Sequence, residues 1–125
     1  MGSIIGKNTR RPDVSFYNNG RIDITSVVAR VLNLHEGDVV DIDCQNGEYL
    51  LYVRLRSNEA IGRHEARCYP TKDGGHNFRT YSKKLCDAIL TACNATSEAR
   101  LSMGEVIEHP QIGVAIPLIT RNNLA

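Results

Sequence analysis

Two stretches of this chain run through the same order of local signals, and that internal repeat constrains the fold more than any other feature. In the first, Val14-Ser15-Phe16-Tyr17 is rich in strand formers and stops at Asn18-Asn19-Gly20, a tight-turn signal. Arg21-Ile22-Asp23-Ile24 alternates polar and apolar residues, the pattern of a half-buried strand. Thr25-Ser26 offers an N-cap, and Val27, Val28, Val31 and Leu32 follow the spacing of a short helix. Glu36-Gly37-Asp38 turns the chain into a strand from Val39 to Cys44. Gln45-Asn46-Gly47 reads as a hairpin turn, with Tyr49 to Val53 as its return strand.

The second stretch repeats the order. Arg63 to Tyr69 reads as a strand, with His64, Ala66 and Cys68 on one face, and Gly74-Gly75 as a turn. Phe78 to Tyr81 is extended. Ser82 caps a helix carrying Leu85, Cys86, Ile89, Leu90 and Cys93, and a polar loop runs from Asn94 to Glu98. Gly104-Glu105-Val106-Ile107-Glu108 echoes Gly37-Asp38-Val39-Val40-Asp41, and Ile112 to Leu118 matches the return strand. Each β-β-α-β-β unit leaves an apolar sheet face and unpaired edges, which pairing with a second unit covers. The expected fold is therefore mainly β with two short helices (α+β), a single-chain pseudo-twofold β-barrel. Repeat one spans 13–56 and repeat two 62–119, within one duplicated barrel domain at 13–125 that follows a flexible basic arm at 1–12. Val28, Val39, Leu51, Leu85, Val106 and Ile116 are expected to be buried.

A chain of 125 residues can bury a core without disulfides. No apolar run reaches the roughly 20 residues of a membrane helix, so no membrane association is expected. The first residues lack the apolar stretch of a secretory signal, which makes a cytoplasmic location the expectation. The net charge is +1, so any nucleic-acid role must come from local charge. Lys7, Arg10 and Arg11 make the arm basic, residues 13–60 carry eight acids against four bases, and residues 61–125 carry eight bases against six acids.

Catalytic and metal-binding signatures are weak. Cys44, Cys68, Cys86 and Cys93 form no Cys-x-x-Cys pair, and neither they nor His64 and His76 offer the tight ligand pairs of a zinc site. Reduced, metal-free thiols are expected. There is no Gly-x-Ser-x-Gly, no phosphate-binding Gly-rich loop with lysine and no His-Glu-x-x-His. Asp41 and Asp43 share one face of a strand and read as its solvent side. The expectation is a chain that is not an enzyme and takes no cofactor.

The stretch from Gly20 to Ile42, GRIDITSVVARVLNLHEGDVVDI, resembles the core of the SpoVT/AbrB family: a Gly-Arg-led strand, a short helix ending near Leu, and a Gly-Asp turn into a valine-rich strand. The resemblance implies a swapped-hairpin, cradle-loop barrel related to double-psi barrels. It also implies DNA binding of the kind found in bacterial transcription regulators and antitoxins, with Arg21 and Arg30 at family contact positions. Thr25 stands where the family usually has a helix-opening proline, and Ala29 where it often has another arginine.

Two functional classes follow. One is a non-enzymatic module for duplex DNA, with Arg10, Arg11, Arg21, Arg30, Arg79, Lys83 and Lys84 on the phosphates. The other is a protein-interaction or structural barrel of a phage, mobile element or accessory complex, working with a protein partner or as a homo-oligomer. The acids between Glu36 and Glu48 oppose the first if they share the basic face.

Overall fold

A computed structural model describes residues 12–120; Arg10 and Arg11, with nearly all of the expected arm, lie outside the described residues. The elements are β1 (Val14–Tyr17), β2 (Arg21–Ile24), α1 (Ser26–Val31), β3 (Val39–Gln45), β4 (Glu48–Leu55), β5 (Tyr69–Pro70), β6 (Phe78–Tyr81), α2 (Lys83–Ala92), β7 (Glu98–Met103), β8 (Ile107–His109) and β9 (Gly113–Ile119). The protein is mainly β. All its strands join one curled sheet in the order β3-β4-β9-β7-β1-β2-β6-β5, with β8 added beside β9. Every neighbouring pair is antiparallel.

The curl brings the two ends of that order together. Val39 forms a bridge with Arg67, just before β5. Gly37 N donates to Cys68 O at 2.8 Å, Cys68 N to Asp38 O at 2.8 Å, and Val40 N to Ala66 O at 3.1 Å. Backbone groups that a flat sheet would leave open at its edges are thus paired.

Alternation decides which side chains fill the interior. Val14, Phe16, Ile22, Ile24, Ala99 and Leu101 project from β1, β2 and β7 into one core, and Val40, Leu51 and Ile116 enter it from β3, β4 and β9. The helices add Val28 and Ala29 from α1, and Cys86, Ile89 and Leu90 from α2. Of the residues expected to be buried, Val28, Val39, Leu51 and Ile116 are. Leu85 is only half-buried, and Val106 is exposed, because residues 104–106 are irregular and the strand starts at Ile107.

The two helix starts are capped differently. Ser82 Oγ accepts from Leu85 N at 3.1 Å, as the sequence predicts for α2. Thr25 occupies the N-cap position of α1, but its hydroxyl donates to Asp13 O at 3.1 Å instead. Asn77, from the far half of the chain, accepts from Ser26 N at 2.9 Å in its place.

Two segments depart from the expected strands. The strand expected from Arg63 to Tyr69 shrinks to Tyr69–Pro70, because Ala66 adopts a left-handed φ of 66° that an extended strand does not allow. Its N–H bonds to Tyr81 O at 3.0 Å, while the carbonyl bonds to Val40. The polar loop after α2 is shorter than expected, since β7 begins at Glu98 and pairs with β1 from Val14 to Tyr17.

Candidate nucleic-acid interface

Residues directly opposite in antiparallel strands share a face, so the register composes the outer surface of β1, β2, β6 and β5. Arg21 lies opposite Tyr81, Asp23 opposite Arg79, and Tyr69 opposite Arg79. Each sits one residue away from a core position, so this row faces out as the interior row faces in. The Arg21 guanidinium carbon stands 4.2 Å from the centroid of the Tyr17 ring. The result is a ladder of alternating arginines and tyrosines, with Tyr69 and Tyr81 49% and 58% exposed.

Asp23 is the acid in this ladder. It accepts from Arg79 Nε at 2.8 Å and lies 3.4 Å from Arg21 Nε. The hydrogen bond and charge of Asp23 push the Arg79 pKa above its ordinary value. One carboxylate shared by two guanidiniums leaves the group with excess positive charge. Arg21 Nε is buried without a hydrogen bond of good geometry, so Asp23 satisfies Arg79 more fully than Arg21.

The start of α2 is held beside the ladder by a close backbone approach. Ser82 N donates to Gly20 O at 2.8 Å. Gly20 has φ +96°, and a Cβ there would lie 3.3 Å from Lys83 N. Only glycine combines that conformation with that contact cheaply. Lys83 is exposed and pairs with Asp87 at 2.7 Å along the helix. Lys84 is exposed one position on. Arg30 is exposed in the last turn of α1, outside the ladder, where a cation suits the helix dipole. The structure therefore brings Arg21 and Arg79 together, sets Lys83 close to them, and leaves Arg30 and Lys84 apart from their register.

The ladder forms one wall of an open groove of about 1000 Å³. The rest of its lining comes from the chain on either side of β5, Ala60 to Arg67 and Thr71-Lys72, which contributes Arg63, Arg67 and Lys72. Arg67 acts as a clamp: its guanidinium donates to the carbonyls of Gly37, Ala60 and Gly62 and so fixes the wall to the start of β3. Arg63 and Lys72 are exposed. The one acid lining the groove, Glu65, accepts a short hydrogen bond from the Ser82 hydroxyl. Arg63, Lys72, Tyr69 and Tyr81 were absent from the site expected from sequence. The available signal was the i, i+2 pairing of Arg79 with Tyr81 on a strand whose other face is apolar.

The thiols sit in graded environments. All four cysteines are unpaired; Cys44 is exposed, Cys93 half-buried, and Cys68 and Cys86 buried. Burial pushes the Cys68 thiol up to about 12 and raises those of Cys86 and Cys93. Because the thiolate is the reactive form, an aromatic disulfide reagent at neutral pH should label Cys44 first and Cys93 slowly. Cys68 and Cys86 should react only on unfolding. Mass spectrometry of the time course checks this, and early labelling of Cys68 would contradict the burial.

Among the described residues, no group of three or more His, Cys, Asp or Glu side chains is placed to hold a metal ion, and no helix is long and apolar enough to cross a membrane. Compared with known protein families, curated proteins and solved structures, the chain matches none.

Proposed function

We propose that this chain is a non-enzymatic DNA-binding module. The observation that carries the reading is the convergence of Arg63, Arg67, Lys72 and Arg79 around one groove in which cations outnumber acids, with Arg21 beside Arg79 through their shared Asp23. Phosphate contacts supply most non-specific affinity for nucleic acid, and guanidinium groups suit them. Lys83, paired with Asp87, adds a cation beside the ladder at the start of α2. The acids of β3 argue less against this than the sequence suggested: Asp41 is offset by Arg54 at 3.6 Å, and neither Asp41 nor Asp43 lines the groove.

The reading agrees with the resemblance of residues 20–42 to the SpoVT/AbrB family. We further propose that the halves are copies of one unit. The pairing pattern supports this: hairpins β1–β2 and β5–β6 each lead into a helix, and β2–β6 and β4–β9 join like-placed strands of the two halves.

The test is a salt-dependent titration with a duplex of about 20 base pairs. Binding should be measurable at about 50 mM salt and fall linearly on a log–log plot. Replacing Arg63 and Lys72 together by alanine should flatten the slope by about two units, at about 0.9 per lost contact. The Arg21→Ala, Arg30→Ala double variant should lose about one contact, because only Arg21 belongs to the ladder. No binding of any nucleic acid by the parent at about 50 mM salt would remove the reading.

A second reading, a protein-interaction barrel, is favoured by β8. Among the described residues it pairs only with β9, and Val106 and Ile107 are each 37% exposed beside its open edge. Such an edge accepts a further strand.

A further inference from the structure

We infer that the groove takes an unpaired polynucleotide strand, whose bases stack on Tyr69 and Tyr81 while its phosphates lie along Arg63, Lys72 and Arg79. The inference rests on the nucleic-acid reading above and names the form of nucleic acid that this face suits.

The argument starts from the tyrosines. An exposed tyrosine on a strand is unremarkable alone. Here Tyr69 and Tyr81 stand on one face of the paired strands β5 and β6, with Arg79 directly opposite Tyr69 and two residues from Tyr81 on its own strand. Both rings are about half exposed, and both line the groove. Neither contributes to the core; from the other face of β6, Phe78 packs against it and Thr80 is buried with its hydroxyl donating to Arg67 O. Two large apolar rings are thus held beside cations by rigid sheet rather than by loops, so little order must be imposed when a ligand arrives.

The same surface already uses the contact it would offer a base. Tyr17 carries the Arg21 guanidinium carbon 4.2 Å from its ring centroid, while Tyr81, opposite Arg21 on the other side, is 58% exposed.

Unpaired nucleotides match this arrangement. Their bases are free to splay onto aromatic faces, and stacking tolerates every base because each has a π-face. A duplex keeps its base faces inside its own stack, so the exposed tyrosines would gain nothing from it. The charge pattern agrees: Arg63, Lys72 and Arg79 all line the groove against a single acid, so a backbone running along it meets several cations. Arg67 and Glu65 are committed to the carbonyls of the 60–62 segment and to Ser82, so they shape the wall.

The probes are a labelled deoxythymidine oligomer of about 12 nucleotides, its uridine counterpart, and a duplex of equal length, compared by fluorescence anisotropy on the full chain. The single strands should bind at least about 10-fold more tightly than the duplex. Tyr69→Ala and Tyr81→Ala should each weaken single-strand binding about 10-fold and leave duplex binding within about 2-fold. Tyr→Phe at either position should restore it, because the ring is kept. Both residues are exposed, so thermal melts should match the parent and exclude misfolding.

Tyrosine-dependent binding of either oligomer supports the inference, and the ratio of the two tells deoxyribose from ribose. Duplex bound as tightly as single strands, with both alanine variants binding like the parent, overturns it while the DNA-binding reading stands. Failure of all three probes to bind overturns both.

Discussion

Replacing Asp38 with alanine should cost about 3 kcal/mol of stability and lower Tm by about 12 °C. Asp38 is 1% exposed, yet every part of its carboxylate is used. Oδ2 accepts from Arg56 Nη1 at 2.9 Å and from His35 N at 2.8 Å, and Oδ1 accepts from Ser57 N at 2.8 Å. Arg56 also donates to the carbonyls of Leu32 and Asn33, at 3.1 and 2.7 Å. One ion pair thus ties the end of α1, the start of β3 and the exit of β4. Alanine would strand two inward amide donors, at about 1–3 kcal/mol each when unsatisfied. Arg56, with its side chain 43% exposed, can turn to water, which holds the total near the lower end. Arg56→Ala should therefore cost less than Asp38→Ala, and a double-mutant cycle should show coupling of about 1 kcal/mol or more. A loss below about 1 kcal/mol for Asp38→Ala would mean the network adds little.

Phe16→Ala should have the largest effect of any single truncation considered, about 4 kcal/mol. Phe16 is fully buried on β1, between β7 and β2, so its cavity would be walled by strands on both sides. Such a wall cannot collapse to fill the space. Val106→Ala, made beside it, should change stability by no more than about 0.5 kcal/mol. In urea, the Phe16 variant should shift its midpoint at unchanged slope. Equal losses for the two residues would contradict the assigned interior.

That pair also marks where sequence pattern carried information and where it did not. Phe16, Ile22 and Ile24 alternate cleanly with polar residues, and the structure follows. Asn46-Gly47 demanded a turn with positive φ at both positions, and they adopt 52° and 80°. Ser82 announced a helix and caps it. Val106 was placed by its echo of Val39, but an echo transmits residue type, not register. The irregular residues 104–106 removed it from the interior.

The strand β7 was missed because Ala99-Arg100-Leu101-Ser102-Met103 has low strand propensity; pairing with β1 and β9 overrides that. The strand expected at 63–69 failed on the backbone of Ala66, which no side chain advertises. The groove follows from the second of these segments. Its Arg79 was legible from the chain alone. Arg63, Lys72 and the tyrosines depended on the hairpin register between β5 and β6, and on a wall shaped by Arg67.

The interleaved strand order has a consequence for how the chain is made. Of the strands in the first half, β1 waits for β7, β2 for β6 and β4 for β9. Until a ribosome has added residues 77–119, those edges have no partner, and until Asn77 is added even the N-terminal turn of α1 lacks the side chain that satisfies it. Sheets that close over such long separations fold slowly, and open edges are sticky. The halves of this protein become stable together, so the nascent first half is the species most in need of protection from its own kind.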